Sequence, residues 1–134
     1  MTNAQGPMTK EIPMTNDPSN GNGHPYDLEE RTALFGEAII AFAKQVSRDV
    51  VTLPLISQVV RSGTSIGANY CEADDAVSKK EFRKNIGTCQ KEAKETKHWI
   101  RMIVAPEASM KERARPLWQE AKELHLIFCS IHNK

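Results

Sequence analysis

The sequence lacks the features of several classes of protein. Aromatic residues make up only 6% of its 134 residues, and no segment reaches the roughly 18 consecutive apolar residues that a membrane-spanning helix needs. The amino terminus also lacks the basic segment followed by an apolar one that is typical of a secretory signal. We therefore expect a cytoplasmic protein that does not insert into a membrane.

Cysteine is scarce as well. The three cysteines are an odd number, lie far apart and include no C-x-x-C pair, so neither a disulfide framework nor a zinc ribbon is expected. Cys71, Cys89 and Cys129 all fall in apolar helical contexts. This pattern predicts small, buried, reduced side chains.

The usual motifs of catalysis are also missing. The sequence contains no G-x-x-x-x-G-K, G-x-S-x-G or H-E-x-x-H. Glu95 and His98 form an E-x-x-H, but a di-iron bundle needs two such pairs and two further glutamates. We therefore expect no metal site, no cofactor and no catalytic activity, and an unrecognised hydrolase is the least favoured class.

The first 25 residues differ in composition from the rest of the chain. Residues 1–25 hold four of the seven prolines and three of the seven glycines. Such a segment cannot bury enough apolar surface to offset the entropy of ordering it. The sequence therefore predicts a disordered tail over residues 1–25 and one folded domain over residues 26–134.

Within this domain the apolar residues recur at steps of three and four, and almost no segment alternates as a half-buried strand does. Asp27 and Glu30 form a capping box for helix one, which we expect to reach about Arg48. Pro54 marks the start of helix two, predicted to run from about Leu55 to near Ala73.

Two further capping boxes are predicted, at Ser78 with Glu81 for helix three and at Ser109 with Glu112 for helix four. Helix three should end near residues 104–106. Pro116 requires helix four either to begin near Arg115 or to be kinked. Four helices with short connections predict an all-α, antiparallel, up-down-up-down four-helix bundle.

The net charge of +1 conceals an asymmetry along the chain. Residues 27–75 carry 4 basic and 8 acidic side chains, a net charge of −4, whereas residues 76–115 carry 11 and 5, a net charge of +6. One stripe of helix three, opposite its apolar stripe, is basic over roughly 30 Å. We call this stripe the basic ridge: Lys80, Lys84, Lys91, Lys94, His98 and Arg101.

The basic ridge has two interpretations: a solvated helix face, or a surface that binds a polyanion such as nucleic acid. Trp99 and Trp118 could stack on bases or pack at the edge of the core. Gly63 and Gly67 predict the close approach of another helix. We expect that helix to belong to the same bundle for Gly63, and leave the same bundle and another subunit open for Gly67.

Helix two carries the motif R-S-x-T-S-I-x-A-N-x-x-E, followed by S-K-K-E-F at residues 78–82. This motif resembles that of a family of bacterial four-helix-bundle proteins whose first members were found encoded in the intervening sequences of 23S ribosomal RNA genes. The resemblance covers roughly residue 26 to the end. The residues that match the motif are Arg61, Ser62, Thr64, Ser65, Asn69 and Glu72.

The resemblance implies a ring-like homopentamer without catalytic activity. The family is related to the accessory variability protein of diversity-generating retroelements, which works with a reverse transcriptase and nucleic acid. The chain departs from the family at Gly63, Gly67 and Cys71. Residues 73–77 also place two aspartates where a basic, glycine-rich turn is usual.

We therefore expect a non-catalytic oligomer that binds RNA or DNA, as an accessory to a reverse transcriptase where one is present. The alternative is a scaffold that binds only protein. Interhelix or intersubunit hydrogen bonding is the simplest role for the polar motif residues. The predicted nucleic-acid contacts are Lys80, Lys84, Lys91, Lys94 and Arg101.

Overall fold

The computed structural model describes residues 27–134. The predicted tail, residues 1–25, lies outside the described residues, and so does residue 26. The described part is all-α and has no strand, as predicted. Its helices are α1 (Leu28–Lys44), α2 (Thr52–Asp74), α3 (Lys79–Val104) and α4 (Lys111–His132), with a 3-10 helix, Ala108–Met110, before α4.

Consecutive helices pack side by side, and α1 also contacts α4. Helices α2 and α3 are antiparallel. Ser62 bonds to Thr96, whereas Ile66, later in α2, accepts a hydrogen bond from Cys89, earlier in α3. The glycine contacts of α2 with α1 and of α3 with α4 show that these pairs are antiparallel as well. The predicted up-down-up-down bundle is therefore the observed one.

Local side chains cap α1 and α3 as predicted. The backbone N–H of Glu30 donates to Asp27 Oδ1 at 3.2 Å. At the start of α3, the N–H of Glu81 donates to Ser78 Oγ at 3.1 Å, and the Glu81 carboxylate accepts from the N–H of Val77 at 3.3 Å. These bonds satisfy N–H groups that have no partner inside the helix.

The turn between α1 and α2 differs from its prediction, because α1 ends at Lys44 rather than near Arg48. The carboxylate of Asp49 accepts hydrogen bonds from the N–H groups of Val51 and Thr52, which starts α2 two residues before Pro54. Proline is tolerated there, since first-turn N–H groups lack intrahelical partners.

The start of α4 also corrects two predictions. The capping box at Ser109 is wrong: Ser109 lies in the 3-10 helix, no side chain caps α4, and Glu112 bonds instead to Arg115 at 3.2 Å. The helix begins at Lys111, so Pro116 lies inside it, and of the two alternatives the start near Arg115 is wrong.

The predicted apolar stripes form the core, which includes the α3 residues Ile86, Cys89 and Ile100. Both glycines of α2 face α1 of the same chain. A Cβ atom at Gly63 would lie 2.9 Å from the side chain of Ile39, and one at Gly67 would lie 3.2 Å from Thr32 Oγ1. The close approach is therefore made within the bundle at both positions.

Candidate nucleic-acid interface

The basic ridge lies on the solvent side of α3, opposite the buried stripe. All of its members are exposed, as the helical spacing predicted. Among residues 27–134, no ion pair includes a member of the ridge. The structure therefore brings together one row of exposed cations: Lys80, Lys84, Lys91, Lys94 and Arg101.

Two acidic residues of α3 are paired with Arg61 of α2. Its guanidinium lies 2.7 Å from Glu95 Oε1 and 3.2 Å from Glu92 Oε1. A third acid, Glu81, caps the start of the helix. All three acids of α3 therefore have partners outside the ridge.

Two acidic residues of α4 are likewise paired with Arg31 of α1. The Nε atom of Arg31 donates to Glu120 at 2.6 Å, and its Nη2 atom donates to Glu123 at 3.0 Å. The hydrogen bond to Glu120 is the main cause that raises the pKa of Arg31. Four carboxylates of α3 and α4 are thus paired with arginines on the other two helices.

Cations of both helices meet where α3 lies beside α4. The ammonium groups of Lys97 and Lys122 lie 5.5 Å and 5.8 Å from the ring centroid of Trp118. The pKa of His125 is lowered by burial, and further by the charges of Lys97 and Lys94. The positive field of α3 therefore extends onto α4, and we call this surface the α3–α4 face.

Sequence reasoning missed Lys97 and Lys122 as members of this surface. Lys97 lies off the stripe that defines the ridge, and Lys122 belongs to another helix. The spacing of Lys122, four residues after Trp118, was the available signal, because residues four apart on a helix are neighbours.

Comparison with known proteins decides the family. The model of the family described as 23S rRNA-intervening sequence protein matches residues 27–129, more than half of the chain. The chain belongs to this family.

A solved structure of a protein of unknown function from the S23 ribosomal protein family of Bacteroides thetaiotaomicron is similar to this 23S rRNA-intervening sequence family member. The two are 27% identical, with a TM-score of 0.70, over 79% of this chain and 98% of the other. No curated protein matches.

In this member of the 23S rRNA-intervening sequence family, two motif residues make the expected interhelix bonds. Arg61 bonds to Glu92 and Glu95, and the buried hydroxyl of Ser62 lies 2.9 Å from that of Thr96. These contacts join α2 to α3.

The other motif residues do not bridge the helices. Thr64 Oγ1 donates to the carbonyl of Val60 at 2.7 Å, and Asn69 Nδ2 donates to the carbonyl of Ser65 at 2.8 Å, both within α2. Glu72 is exposed near the end of α2, and its side chain makes no hydrogen bond within residues 27–134.

The cysteines correct a prediction in part. Cys89 is buried, and burial raises the pKa of its thiol to about 12. Cys129 is half-buried, 3.6 Å from His125 Nε2, whereas Cys71 is exposed and was wrongly expected to be buried. Cys71 lies on the outer side of α2, which its apolar sequence context did not show.

Three further candidate features were a metal site, a membrane-spanning helix and the indole ring of Trp99. Within the described residues there is no group of three side chains suited to a metal, and Glu95 is already bonded to Arg61. None of the described helices combines the length and the apolar character that crossing a bilayer requires. Trp99 packs against the core, and its buried Nε1 atom has no partner in the part of the chain described.

Proposed function

We propose that the protein is a non-catalytic, homo-oligomeric module that binds RNA or DNA through the basic ridge and the adjoining cations of α4. One observation carries this proposal: Arg31 of α1 and Arg61 of α2 pair with four carboxylates of α3 and α4, whereas within residues 27–134 no member of the basic ridge is in an ion pair. The α3–α4 face is left with a strong excess of positive charge.

The chemistry of such a face suits phosphate backbones. Lysine and arginine side chains that neutralise phosphates release condensed counterions, which supplies affinity without reading sequence. A row of cations along one helix carries no base code. We therefore expect binding that depends strongly on salt and weakly on sequence.

Assembly into a ring, a pentamer as the family resemblance implies, would repeat this face and increase avidity. Exposed apolar side chains at the turn between α1 and α2 support an oligomer. Val50 is 86% exposed, and Val51 and Leu53 are also exposed. Contiguous apolar surface of this kind is typical of an interaction site.

The biological setting of the proposal rests on the resemblance. By likeness to the accessory variability protein of diversity-generating retroelements, the oligomer would act in the cytoplasm and present nucleic acid to a reverse transcriptase. The family usually has a basic turn at the end of α2, but here this position holds the exposed acids Asp74 and Asp75. The proposed contact is therefore carried by α3 and α4 rather than by that turn.

Filter binding of a structured RNA tests the proposal. Lys84→Glu combined with Lys91→Glu should weaken binding roughly tenfold or more, because two phosphate contacts become repulsive. Lys44→Glu combined with Arg48→Glu is the matched control, since both residues are exposed near the end of α1 and the change in net charge is the same. Equal affinity of the two variants would overturn the proposal.

The second candidate function is a scaffold that binds only protein, and the apolar turn around Val50 favours it. Under this alternative, the wild-type protein binds no RNA at any salt concentration and still forms an oligomer. Sedimentation tests oligomerisation independently of RNA binding. A monomer at micromolar concentration would contradict the ring, whereas RNA binding by the α3–α4 face would still have to be measured.

A further inference from the structure

A groove opens between α3 and α4 at the end of the bundle where α3 finishes and α4 begins. Its volume is about 830 Å³, which is within the range of small-molecule sites. Ile100, Val104 and Ala114 contribute apolar side chains to its lining, and Trp118 contributes an indole ring. The groove is therefore able to hold a flat apolar group.

The polar side chains around this groove are mainly cationic. Arg101, Lys111 and Arg115 line it, and its one acid, Glu112, is bonded to Arg115 at 3.2 Å. Arg101 is also the last member of the basic ridge, so the ridge leads directly into the groove. An occupant that complements this surface carries negative charge beside a flat apolar part, as a nucleotide does.

Trp118 is placed to stack with such a group. Its side chain is 37% exposed, and the ammonium groups of Lys97 and Lys122 lie within 6 Å of its ring. Stacking of a base on an aromatic side chain is generally stronger than an exposed cation–π contact, so a base is able to displace a lysine from the ring.

We infer that this groove binds one unpaired base of a single-stranded nucleic acid, stacked on Trp118, with the flanking phosphates on Arg101 and Lys97. The inference rests on the proposed function and deepens it, because it adds a preference for single strands. A base inside a duplex is already stacked and cannot enter the groove. The displaced lysine remains close enough to pair with a phosphate.

Trp118→Ala in the full chain tests this inference, with oligouridine as the single strand and an RNA duplex of equal length as the comparison. The variant should bind oligouridine about 5- to 150-fold more weakly, the equivalent of one lost stacking contact. Duplex binding should be unchanged. Trp118→Phe, which keeps an aromatic ring, should retain most of the affinity for oligouridine.

A second readout uses fluorescence. The chain has two tryptophans, so Trp99→Phe leaves Trp118 as the single reporter, and oligouridine should quench its emission. The inference would be overturned if Trp118→Ala bound oligouridine with unchanged affinity and oligouridine did not quench the emission of Trp118 in Trp99→Phe. Binding of the RNA duplex would then still support the proposed function.

Two other outcomes would also overturn the inference. If the wild-type protein binds neither strand form, the proposed function fails together with it. If Trp118→Ala changes the sedimentation coefficient of the oligomer, the groove is a contact between subunits and is not available to a base.

Discussion

The Nη2 atom of Arg61 on α2 lies 2.7 Å from Oε1 of Glu95 on α3. The same guanidinium reaches Glu92, whose side chain is only 12% exposed. One arginine therefore joins two helices and also pairs with two of the carboxylates of α3. Stability and surface charge depend on the same residue.

Replacing Arg61 by alanine should lower the free energy of unfolding by about 1 kcal/mol, because the two ion pairs are partly exposed and partly screened. Urea denaturation followed by circular dichroism measures this change. Arg115→Ala is the control, since Arg115 and Glu112 are 63% and 82% exposed and their ion pair should contribute almost nothing. Equal effects of the two substitutions would show that the Arg61 contacts do not stabilise the bundle.

Replacing either of two buried glycines at the α1–α2 interface by alanine should change the stability of the protein, in opposite directions. A Cβ atom at Gly63 would lie 2.9 Å from Ile39, whereas one at Gly36 would lie no closer than 3.6 Å to the Cα atom of Thr64. Gly63→Ala should therefore destabilise the protein by about 1–3 kcal/mol through overpacking. Gly36→Ala should stabilise it by up to about 1 kcal/mol through helix propensity.

Thermal unfolding of both variants measures the difference. The same Gly63→Ala change in an Ile39→Ala background is the control, because the side-chain atoms that it would meet are then absent. In that background the additional cost should disappear. A cost that persists there would show that the close approach to Ile39 is not its cause.

The three thiols should react at different rates with a thiol reagent at pH 8. Cys71 is exposed and should react first, and the half-buried Cys129 should follow. Burial raises the pKa of the Cys89 thiol to about 12, so this thiol stays protonated at pH 8 and should react only on unfolding. Mass spectrometry of partly modified protein identifies the order, and early modification of Cys89 would contradict its place in the core.

Much of the fold follows from local patterns. The buried stripe of α3 and the caps at Asp27 and Ser78 were predictable because helical periodicity and capping depend on neighbours in sequence. The starts of α2 and α4 were not, because Asp49 and the 3-10 helix at Ala108–Met110 compete with the signals of Pro54 and Ser109. Where two possible helix starts lie within a few residues of each other, the sequence alone does not show which one the packing of the bundle selects.

The candidate site was predictable on α3 alone. The ridge follows from spacing, since Lys84 and Lys91 are seven residues apart on one helix. The pairing of Arg61 with Glu95 and of Arg31 with Glu120 joins residues distant in sequence, so it needed the bundle. These pairings show that four acids of α3 and α4 have partners on other helices, so that the ridge cations remain without ion pairs within residues 27–134. The spacing of residues within one helix cannot predict such pairings.

The most direct test of the central claim is the salt dependence of RNA binding by the wild-type protein and by Lys84→Glu with Lys91→Glu. For the wild type, the logarithm of the association constant should fall linearly with the logarithm of salt concentration, by about 0.7–0.9 for each phosphate contact. The charge-reversed variant should bind more weakly with a slope shallower by roughly 1.4–1.8, the equivalent of two contacts. An unchanged affinity and slope would contradict the assignment of nucleic-acid binding to the basic ridge.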